Sequence, residues 1–280
     1  MKKKILVTGS TGFVGRQVIR ALTQNDVELS LIVREKSKDK VILFPNVSNV
    51  ITTKNLFSES SSWWAEKCKG IDIVVHLAWY TKPNDYLKSS KNKDCLKGSI
   101  NLAKGAIQAG IKRFLGIGTC VEYDLTNGIV SVNTPLKPTT PYATSKATLF
   151  KDLQKRLSKN FIEFVWCRLF YLHGEGEDPR RLMPYLRKKL EVGEFADLSN
   201  GNQIRDFLDV RKAGDIISKI TLNNQVGAVN VCSGISTTVR QLAEKVADEY
   251  GRRDLLRFGT RPDNLTDVPS IIGVPNIKIE

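Results

Sequence analysis

The sequence predicts an α/β fold, in which a doubly wound parallel sheet is covered on both faces by helices and followed by a smaller C-terminal lobe. Short apolar runs alternate with longer segments of helical periodicity, which is the pattern of strands joined by right-handed crossovers. A glycine-rich turn separates the first apolar run from the first helical segment. The density of proline and glycine rises after Arg168, which predicts the less regular second lobe.

The elements follow from periodicity and from their flanking residues. The predicted strands are 4–8, 28–34, 49–53, 71–77, 113–118, 162–168 and 228–232. The predicted helices are 12–24, 61–69, 91–109, 142–159, 180–191, 209–222 and 238–250. Ligands of such sheets bind beyond the carboxyl ends of the strands, so we expect the functional residues there. We predict a first domain over 1–168 and a second lobe over 169–280, from which the helix at 209–222 returns to the first domain.

Composition limits the kind of protein before any motif is considered. The chain of 280 residues is long enough for one large core or two unequal lobes, and its hydrophobic content of 41% is ordinary for a globular protein. No apolar stretch is long enough to span a membrane, and the apolar run near Met1 is too short for a signal peptide. The five cysteines are scattered and odd in number, which favours reduced thiols. We therefore expect a cytoplasmic protein without membrane association.

The formal net charge of +14 suggests an anionic ligand. A charge of this size also occurs in proteins that bind nucleic acid. The lysines are spread over many predicted helices and loops, however, and no basic stripe with interleaved aromatic residues is present. We therefore predict no nucleic-acid partner and attribute the charge to a lysine-rich composition together with a site that attracts anions.

A glycine-rich turn follows the first strand directly and has the spacing of a dinucleotide-binding fingerprint. Its first glycine permits the tight turn, the second lets the backbone approach a pyrophosphate, and the third lets the helix pack on the strand. The N-terminus of the next helix offers free N–H groups to the phosphates. A βα turn that is glycine-rich without binding a ligand is the alternative. The predicted cofactor contacts in this turn are Gly9, Thr11, Gly12, Phe13, Val14 and Gly15.

The end of the second strand bears on which dinucleotide binds. An acid at this point binds the ribose 2′-hydroxyl of NAD, whereas an arginine accommodates the 2′-phosphate of NADP. The strand ends in Arg34, with Glu35 adjacent and Lys36 and Lys38 beyond it. We therefore predict NADP as the cofactor, contacted by Arg34, with NAD as the alternative. A solvated basic loop is the other interpretation of these residues.

Tyr142 and Lys146 lie four residues apart near the start of a predicted helix, so they share one face. Thr140 suits the N-cap of this helix and Pro141 suits its first position. A tyrosine hydroxyl has an ordinary pKa of about 10, and a neighbouring cation favours the phenolate. We therefore predict that Lys146 lowers the pKa of Tyr142 and that the tyrosine exchanges a proton with a substrate carbonyl. An exposed helix pair is the alternative.

Taken together, these segments resemble the extended short-chain dehydrogenases/reductases of the NAD-dependent epimerase/dehydratase family, which act on nucleotide-diphosphate sugars. The matching pieces are TGSTGFVG (8–15), DIVVHLAW (72–79), GTCVEYD (118–124), PYATSK (141–146), RLFYLHG (168–174), NGNQIRDFLDV (200–210) and GAVNVCSG (227–234). The resemblance implies a Rossmann domain and a C-terminal lobe that binds the sugar nucleotide. It also implies a homodimer through the helices 91–109 and 142–159.

The resemblance assigns the catalytic chemistry to a hydroxyl residue, a tyrosine and a lysine. The matching positions are Thr119, Tyr142 and Lys146, and the lysine is expected to hydrogen-bond the nicotinamide ribose as well. No metal is part of this set, and we predict none. The further implied contacts are Leu77 and Ala78 for the cofactor and Thr119, Cys120, Arg205 and Arg261 for the substrate.

Two positions within the matching segments have structural alternatives. Arg205 matches an arginine that contacts the substrate diphosphate, but an ion pair with Asp206 or Asp209 is the other interpretation. His76 lies at the strand end that faces the cofactor, and we expect it to be a packed core residue, not a catalyst.

The chain departs from the family pattern directly after the threonine. Dehydratases of the family carry Asp and Glu there, whereas this chain has Cys120 and Val121, so 4,6-dehydration is not expected. The chain looks most like the reductases that convert nucleotide-activated 4-keto-6-deoxy sugars to 6-deoxy products for surface polysaccharides such as lipopolysaccharide. We therefore predict a nucleotide-sugar 4-ketoreductase. The alternatives are a nucleotide-sugar epimerase and a non-enzymatic relative that senses dinucleotides or binds RNA.

Overall fold

The computed structural model describes residues 2–264 and 267–277 and has the predicted α/β architecture. The helices are α1 (Phe13–Leu22), α2 (Ser61–Lys67), α3 (Lys91–Gln108), α4 (Pro141–Lys159), α5 (Leu182–Glu191), α6 (Val210–Leu222) and α7 (Val239–Asp248). The strands are β1 (Lys3–Thr8), β2 (Val27–Arg34), β3 (Val47–Thr53), β4 (Ile73–His76), β5 (Arg113–Thr119), β6 (Ile129–Val130), β7 (Glu163–Leu169), β8 (Tyr171–His173), β9 (Ala196–Asp197), β10 (Ile204–Asp209), β11 (Gly227–Val231), β12 (Ser236–Thr238), β13 (Leu256–Arg257) and β14 (Ser270–Gly273). Every predicted helix and strand is present, with ends that differ by a few residues.

A seven-stranded sheet forms the centre of the larger part, in the order β11-β7-β5-β4-β1-β2-β3. All neighbouring pairs in it are parallel. The strand order reverses between β1 and β4, which opens a crevice beyond the carboxyl ends of these two strands. The glycine turn follows β1 and the segment from Leu77 follows β4, so both lie at this crevice.

Helices cover both faces of the large sheet. α1 and α6 pack on one face, with Val18 and Ile217 in a shared apolar core. α2, α3 and α4 pack on the other face, with Trp64, Leu102 and Leu153 in a second core. Because β11 pairs with β7 and α6 packs on α1, the chain returns to the large sheet after β10.

The smaller lobe contains short strands and two helices. A sheet in the order β12-β10-β14-β6, with β8 beside β10, is accompanied by the pair β13-β9. α5 and α7 pack together around Leu186 and Val246. The sequence analysis missed β10 because two charged residues, Arg205 and Asp206, interrupt its apolar pattern although both are buried. Across the described residues, every helix lacks either the length or the apolar character needed to cross a bilayer.

Candidate active site

The glycine turn between β1 and α1 is shaped by close approaches of backbone to backbone. Gly9 has a φ of +78°, and a Cβ at this position would lie 2.7 Å from the Ala78 nitrogen. A Cβ at Gly15 would lie 2.0 Å from the Gly9 carbonyl oxygen. Both positions therefore require glycine, and the turn closes directly on the segment that follows β4.

The N-terminus of α1 is suited to an anion from outside the chain. Gly12 is the N-cap, so no side chain caps the helix, and the first turn contains no acid. A Cβ at Gly12 would meet only the Gly9 oxygen, at 3.3 Å, which leaves its outer side open. The first N–H groups of the helix, from Phe13 and Val14 onward, are thus available to a ligand. These residues, with Thr11 in the turn before them, fit the pyrophosphate of a dinucleotide.

α4 begins as the sequence predicts and carries its functional residues on the buried face. The Thr140 hydroxyl accepts a hydrogen bond from the Ala143 N–H at 3.2 Å, and Pro141 occupies the first turn. Tyr142 is 9% exposed and Lys146 is 3% exposed. Because α4 packs against β5 and β7, both side chains reach the carboxyl end of β5.

The three predicted catalytic residues come together at the end of β5. Thr119 lies close enough to Tyr142 to act on the pKa of its hydroxyl. The Lys146 Nζ donates to the Ile117 carbonyl oxygen at 2.7 Å. The backbone N–H of Thr119 donates to Glu122 Oε1 at 2.8 Å, and Arg168 of β7 donates to the same carboxylate, which fixes the threonine relative to β7.

The pKa of Tyr142 is shifted in the direction opposite to the prediction. Burial raises the pKa of Tyr142 above its ordinary value, and the nearby oxygen of Tyr86 raises it further. Thr119 acts to lower the pKa of Tyr142 but is outweighed. Lys146 directs its ammonium at the Ile117 carbonyl oxygen. The prediction that Lys146 brings the pKa of Tyr142 toward neutrality is therefore wrong for the protein by itself, and the hydroxyl keeps its proton.

Lys146 titrates near neutral pH. Burial lowers its pKa to about 7, whereas Glu122 and then Cys95 act to raise it. The Lys146 Nζ lies 3.8 Å from the ring centroid of Trp79. A cation over an aromatic face is stabilised by the ring quadrupole, so this contact favours the charged lysine.

A buried ion pair supports the floor of the site. Arg168 Nε donates to Glu122 Oε2 at 2.8 Å, and both side chains are buried. The Trp166 indole N–H donates to the same carboxylate, and Arg168 Nη1 donates to the Tyr123 hydroxyl at 2.9 Å. Glu122 also holds the Thr119 N–H, so the network positions the threonine. The sequence analysis missed this network. Its indication in the sequence was Glu122, an acid three residues after Thr119.

His76 is a structural residue at the end of β4. Its Nδ1 lies 2.7 Å from the Thr8 hydroxyl, and its Nε2 lies 2.7 Å from the Ser99 hydroxyl. Burial lowers the pKa of His76 to about 3, so the ring is neutral at neutral pH. Leu77 and Ala78, the predicted cofactor contacts, continue from His76 to the glycine turn.

Arg205 lies on β10 and is already paired within the protein. Its side chain is 3% exposed, and its Nη2 lies 2.7 Å from Asp267 Oδ2. The alternative ion pair with Asp206 or Asp209 is wrong, because neighbouring residues of a strand point to opposite faces and Asp209 is four residues away along an extended strand. The Arg205 Nη1 also donates to the Ile204 carbonyl oxygen at 2.8 Å. A contact with a substrate diphosphate stays a prediction for this residue.

The other two predicted substrate contacts differ in exposure. Cys120 lies in an apolar cluster with Tyr123, and burial raises the pKa of its thiol to about 12, so the thiol is neutral. Arg261 is exposed, and its Nη2 donates to the Tyr185 hydroxyl at 3.2 Å. The predicted role of each in substrate binding stays a prediction.

Arg34 ends β2 with an exposed side chain that pairs with no acid among the described residues.

A small cavity opens between the glycine turn, α1 and β2. Its lining residues are Ser10, Arg16, Ile19, Leu31, Val41, Ile42 and Phe44. The Ser10 hydroxyl is buried and has no hydrogen-bond partner in the described part of the chain. The sequence analysis missed Ser10 and Arg16, although Arg16 directly follows the third glycine.

Two aromatic side chains that the sequence analysis missed border Tyr142. The Tyr86 ring lies edge-on to it, with centroids 4.9 Å apart, and the Trp79 ring lies 6.4 Å away. The Tyr142 N–H donates to the Leu87 carbonyl oxygen at 3.1 Å. The loop after β4 is therefore fixed against the start of α4.

This chain is similar to known proteins in both sequence and fold. The sequence model of the NAD dependent epimerase/dehydratase family matches residues 5–232. A dTDP-6-deoxy-L-talose 4-dehydrogenase (NAD(+)) from Aggregatibacter actinomycetemcomitans is 22% identical, over 96% of this chain and 98% of the relative. A putative UDP-glucose 4-epimerase from Methanocaldococcus jannaschii is 26% identical, over 89% of this chain and 83% of the relative.

A solved structure shows the same fold over nearly the whole chain. The UDP-N-acetylglucosamine 4-epimerase from Methanobrevibacter ruminantium M1 superposes with a TM-score of 0.84 and 23% identity, covering 99% of this chain and 91% of the other. The region that the family model matches contains the glycine turn together with Thr119, Tyr142 and Lys146. This chain therefore belongs to the NAD dependent epimerase/dehydratase family, whose members represented here modify nucleotide sugars.

Proposed function

We propose that this protein is an NAD(P)H-dependent reductase that converts the C4 ketone of a nucleotide-diphosphate 4-keto-6-deoxy sugar to an alcohol. The observation that carries the proposal is Tyr142, buried beside Thr119 at the end of β5 and one helical turn from the buried Lys146, where burial keeps its hydroxyl protonated. Reduction of a ketone needs a proton donor at the oxygen that becomes an alkoxide. A tyrosine that keeps its proton is suited to this direction of the reaction.

The mechanism assigns one task to each residue. When bound, a reduced nicotinamide dinucleotide supplies the hydride to C4. Tyr142 donates its proton to the C4 oxygen as negative charge develops, and the Thr119 hydroxyl donates a second hydrogen bond to it. Lys146 in its charged form stabilises the tyrosinate that remains. Glu122 and Arg168 keep Thr119 in place through the hydrogen bond to its backbone.

The residues after Thr119 argue against elimination of water from the sugar. Elimination needs an acid and a base beside the sugar carbons, at positions that Cys120 and Val121 occupy in this chain. The Cys120 thiol has a pKa of about 12, so it is neither a base nor a ready acid at neutral pH, and Val121 cannot titrate. Hydride transfer without dehydration is the chemistry that remains for this site.

The preferred cofactor in this proposal is NADPH. The unpaired Arg34 at the end of β2 supplies a cation where a 2′-phosphate would lie. Arg16 and the unpartnered Ser10 hydroxyl add a second cation and a donor at the adjacent cavity. The relative from Aggregatibacter actinomycetemcomitans is named for NAD(+), so the preference rests on the residues of this chain.

The substrate class is supported by the relatives and by charge. A 4-dehydrogenase of dTDP-6-deoxy-L-talose acts on C4 of a 6-deoxy sugar nucleotide, and the proposed reaction is hydride transfer at that carbon in the opposite direction. The net charge of +14 favours a diphosphate ligand. Arg205 and Arg261 are the proposed diphosphate contacts, and Arg205 would exchange its pairing with Asp267 for the phosphates.

The proposal is tested with a panel of dTDP-, UDP- and GDP-linked 4-keto-6-deoxy sugars. Each is incubated with the purified protein and NADPH or NADH, and loss of the reduced cofactor is followed by absorbance. We expect stoichiometric consumption of NADPH with at least one member of the panel and formation of the 6-deoxy product. No consumption with any member, under conditions in which the dinucleotide binds, would exclude the proposed reaction.

An epimerase is the second candidate, favoured by the 26% identity to a putative UDP-glucose 4-epimerase. The same three residues serve an epimerase, which returns the hydride to the opposite face of the sugar. Such an enzyme consumes no net cofactor. Interconversion of UDP-hexoses without loss of NADPH in the same assay would select this function over the reductase.

A further inference from the structure

We propose that Trp79, anchored by Asn92, is a positioning residue that fixes the ammonium group of Lys146 through its indole face. The inference rests on the proposed function only where it assigns Lys146 a role in catalysis. The contact itself lies in the folded protein and is measurable without a substrate.

The Trp79 indole face is a second contact of the Lys146 ammonium, in addition to its hydrogen bond to the backbone. The ammonium has three donors, of which one is directed at the Ile117 carbonyl oxygen at 2.7 Å. No carboxylate of the described residues lies within ion-pair distance of the Lys146 Nζ. The Trp79 centroid is 3.8 Å from this nitrogen, whereas the Trp166 centroid is 5.8 Å away. Trp79 is therefore the main aromatic partner of the charge.

The indole is held in place by a buried amide. The Trp79 Nε1 donates to Asn92 Oδ1 at 2.8 Å. Asn92 is 1% exposed, and its amide group donates to the carbonyl oxygens of Tyr86 and Ser89 at 2.6 and 2.9 Å. Because both carbonyl groups need a donor, the Asn92 oxygen must face the indole. The tryptophan is thus oriented by a polar contact that a packing residue does not need.

The same short segment joins the two halves of the site. Trp79 follows Ala78, whose nitrogen would lie 2.7 Å from a Cβ at Gly9. Its ring also meets the edge of the Tyr142 ring at 6.4 Å. The position of the indole therefore depends on the glycine turn. The indole then determines where the Lys146 ammonium lies beside Tyr142.

The groups around Lys146 predict the direction of the effect. Burial lowers the pKa of Lys146 to about 7, and Glu122 and Cys95 act to raise it. His76 on β4 is held neutral, in part by the charge of Lys146, and Tyr142 on the same helix keeps its proton. The indole face favours the charged lysine. Removing that face should therefore make Lys146 lose its proton at a lower pH.

The test compares Trp79→Leu, which removes the aromatic face, with Trp79→Phe, which keeps a face but loses the indole N–H. Trp63→Leu is the matched control, because Lys67 lies 5.7 Å from the Trp63 centroid on α2. The titration of Lys146 is measured by NMR of protein carrying carbon-13 at lysine Cε, and the signal is assigned by its loss in Lys146→Arg. The alkaline limb of the turnover profile is measured in parallel.

We expect Trp79→Leu to lower the midpoint of the Lys146 titration by about one pH unit, and Trp79→Phe by less. The alkaline limb of turnover should move by the same amount, whereas Trp63→Leu should leave both unchanged. A structural role alone would reduce turnover at every pH without moving the limb. Should Trp79→Leu not fold, Trp79→Met takes its place in the same measurement.

An unchanged or raised midpoint in the folded Trp79 variant would overturn the inference. The NMR titration needs no substrate, so its outcome is separate from the proposed function. If the wild-type protein reduces no sugar nucleotide but the midpoint still falls in Trp79→Leu, the proposed function fails and the positioning role of Trp79 holds.

Discussion

Burial decides the chemistry of Tyr142 more than its neighbouring lysine does. The i to i+4 spacing places Lys146 on the same face of α4, but its ammonium is directed at the Ile117 carbonyl oxygen and the Trp79 face. The tyrosine therefore keeps a raised pKa in the protein by itself. At the scale of single residues, the site is arranged to give a proton and then to stabilise the tyrosinate left behind.

The first prediction concerns this proton. Tyr142→Phe should reduce turnover by about a hundredfold or more, because the developing alkoxide loses its general acid. The affinity for NADPH should change little, since the glycine turn and Arg34 are untouched. Turnover is measured with the best substrate of the panel, and cofactor affinity is measured by titration. Tyr250→Phe, beyond α7, serves as the control, and wild-type turnover in Tyr142→Phe would remove the tyrosine from its assigned role.

The second prediction concerns the choice of dinucleotide. Arg34→Ser should raise the KM for NADPH about tenfold to a hundredfold, since a hydrogen bond to a charged group contributes about 1.5–3 kcal/mol. The KM for NADH should stay near its wild-type value, because NADH carries no 2′-phosphate. Arg20→Ser, at the last turn of α1, is the control. Equal losses with both cofactors would show that Arg34 does not contact the 2′-phosphate.

Spacing along the chain predicted which residues meet, but it could not predict their environment. Thr119, Tyr142 and Lys146 were found from motifs at the ends of predicted elements. Trp79 was missed because its contact with Lys146 joins residues far apart in the sequence. The raised pKa of Tyr142 was missed for the same reason, since burial is a sum over many distant neighbours.

At the scale of elements, periodicity was sufficient for the large sheet and insufficient for the small lobe. Most strands of the large sheet are apolar runs, and its helices have one apolar face, so the pattern marks both. Strands such as Ala196–Asp197 and Leu256–Arg257 are too short to show any period. β10 carries the buried Arg205 and Asp206. The partners of these charges are distant in the sequence and meet them only in the folded lobe, so the sequence pattern does not mark the strand.

The third prediction separates two functions of the glycine turn. Gly15→Ala should lower the free energy of unfolding by about 1–3 kcal/mol, because its Cβ would collide with the Gly9 carbonyl. Gly12→Ala should leave stability nearly unchanged but weaken dinucleotide binding, because its Cβ would project toward the pyrophosphate. Urea unfolding and cofactor titration are measured on both variants. A stable Gly15→Ala protein would contradict the packing role assigned to this glycine.

At the scale of the whole molecule, strand order explains why residues from distant segments form one site. The glycine turn, the β4 end and Thr119 follow three adjacent strands of the sheet, so the parallel arrangement brings them to one edge. α4 then adds Tyr142 and Lys146 from one side. A homodimer through α3 and α4 stays a prediction.

The last prediction concerns how the stability of the whole fold depends on pH. His76 has a pKa of about 3 in the folded protein, below its ordinary value of 6.5, because burial disfavours the charged ring. Between these values the unfolded chain binds a proton that the folded chain does not. The stabilisation from neutral His76 is therefore fully present above the ordinary pKa and is lost as the pH falls toward the folded one.

Between pH 7 and pH 5 this loss amounts to about 2 kcal/mol of unfolding free energy. His76→Gln keeps a neutral hydrogen-bonding side chain between Thr8 and Ser99 but removes the titration. Urea unfolding of both proteins at pH 7 and pH 5 should show a smaller loss for the variant, by about the same amount. His173→Gln is the comparison: burial lowers the pKa of His173 as well, but this residue is only partly buried, so its variant should reduce the loss by less than His76→Gln does. If His76→Gln loses as much stability as the wild type between pH 7 and pH 5, protonation of His76 is not the cause of the acid destabilisation.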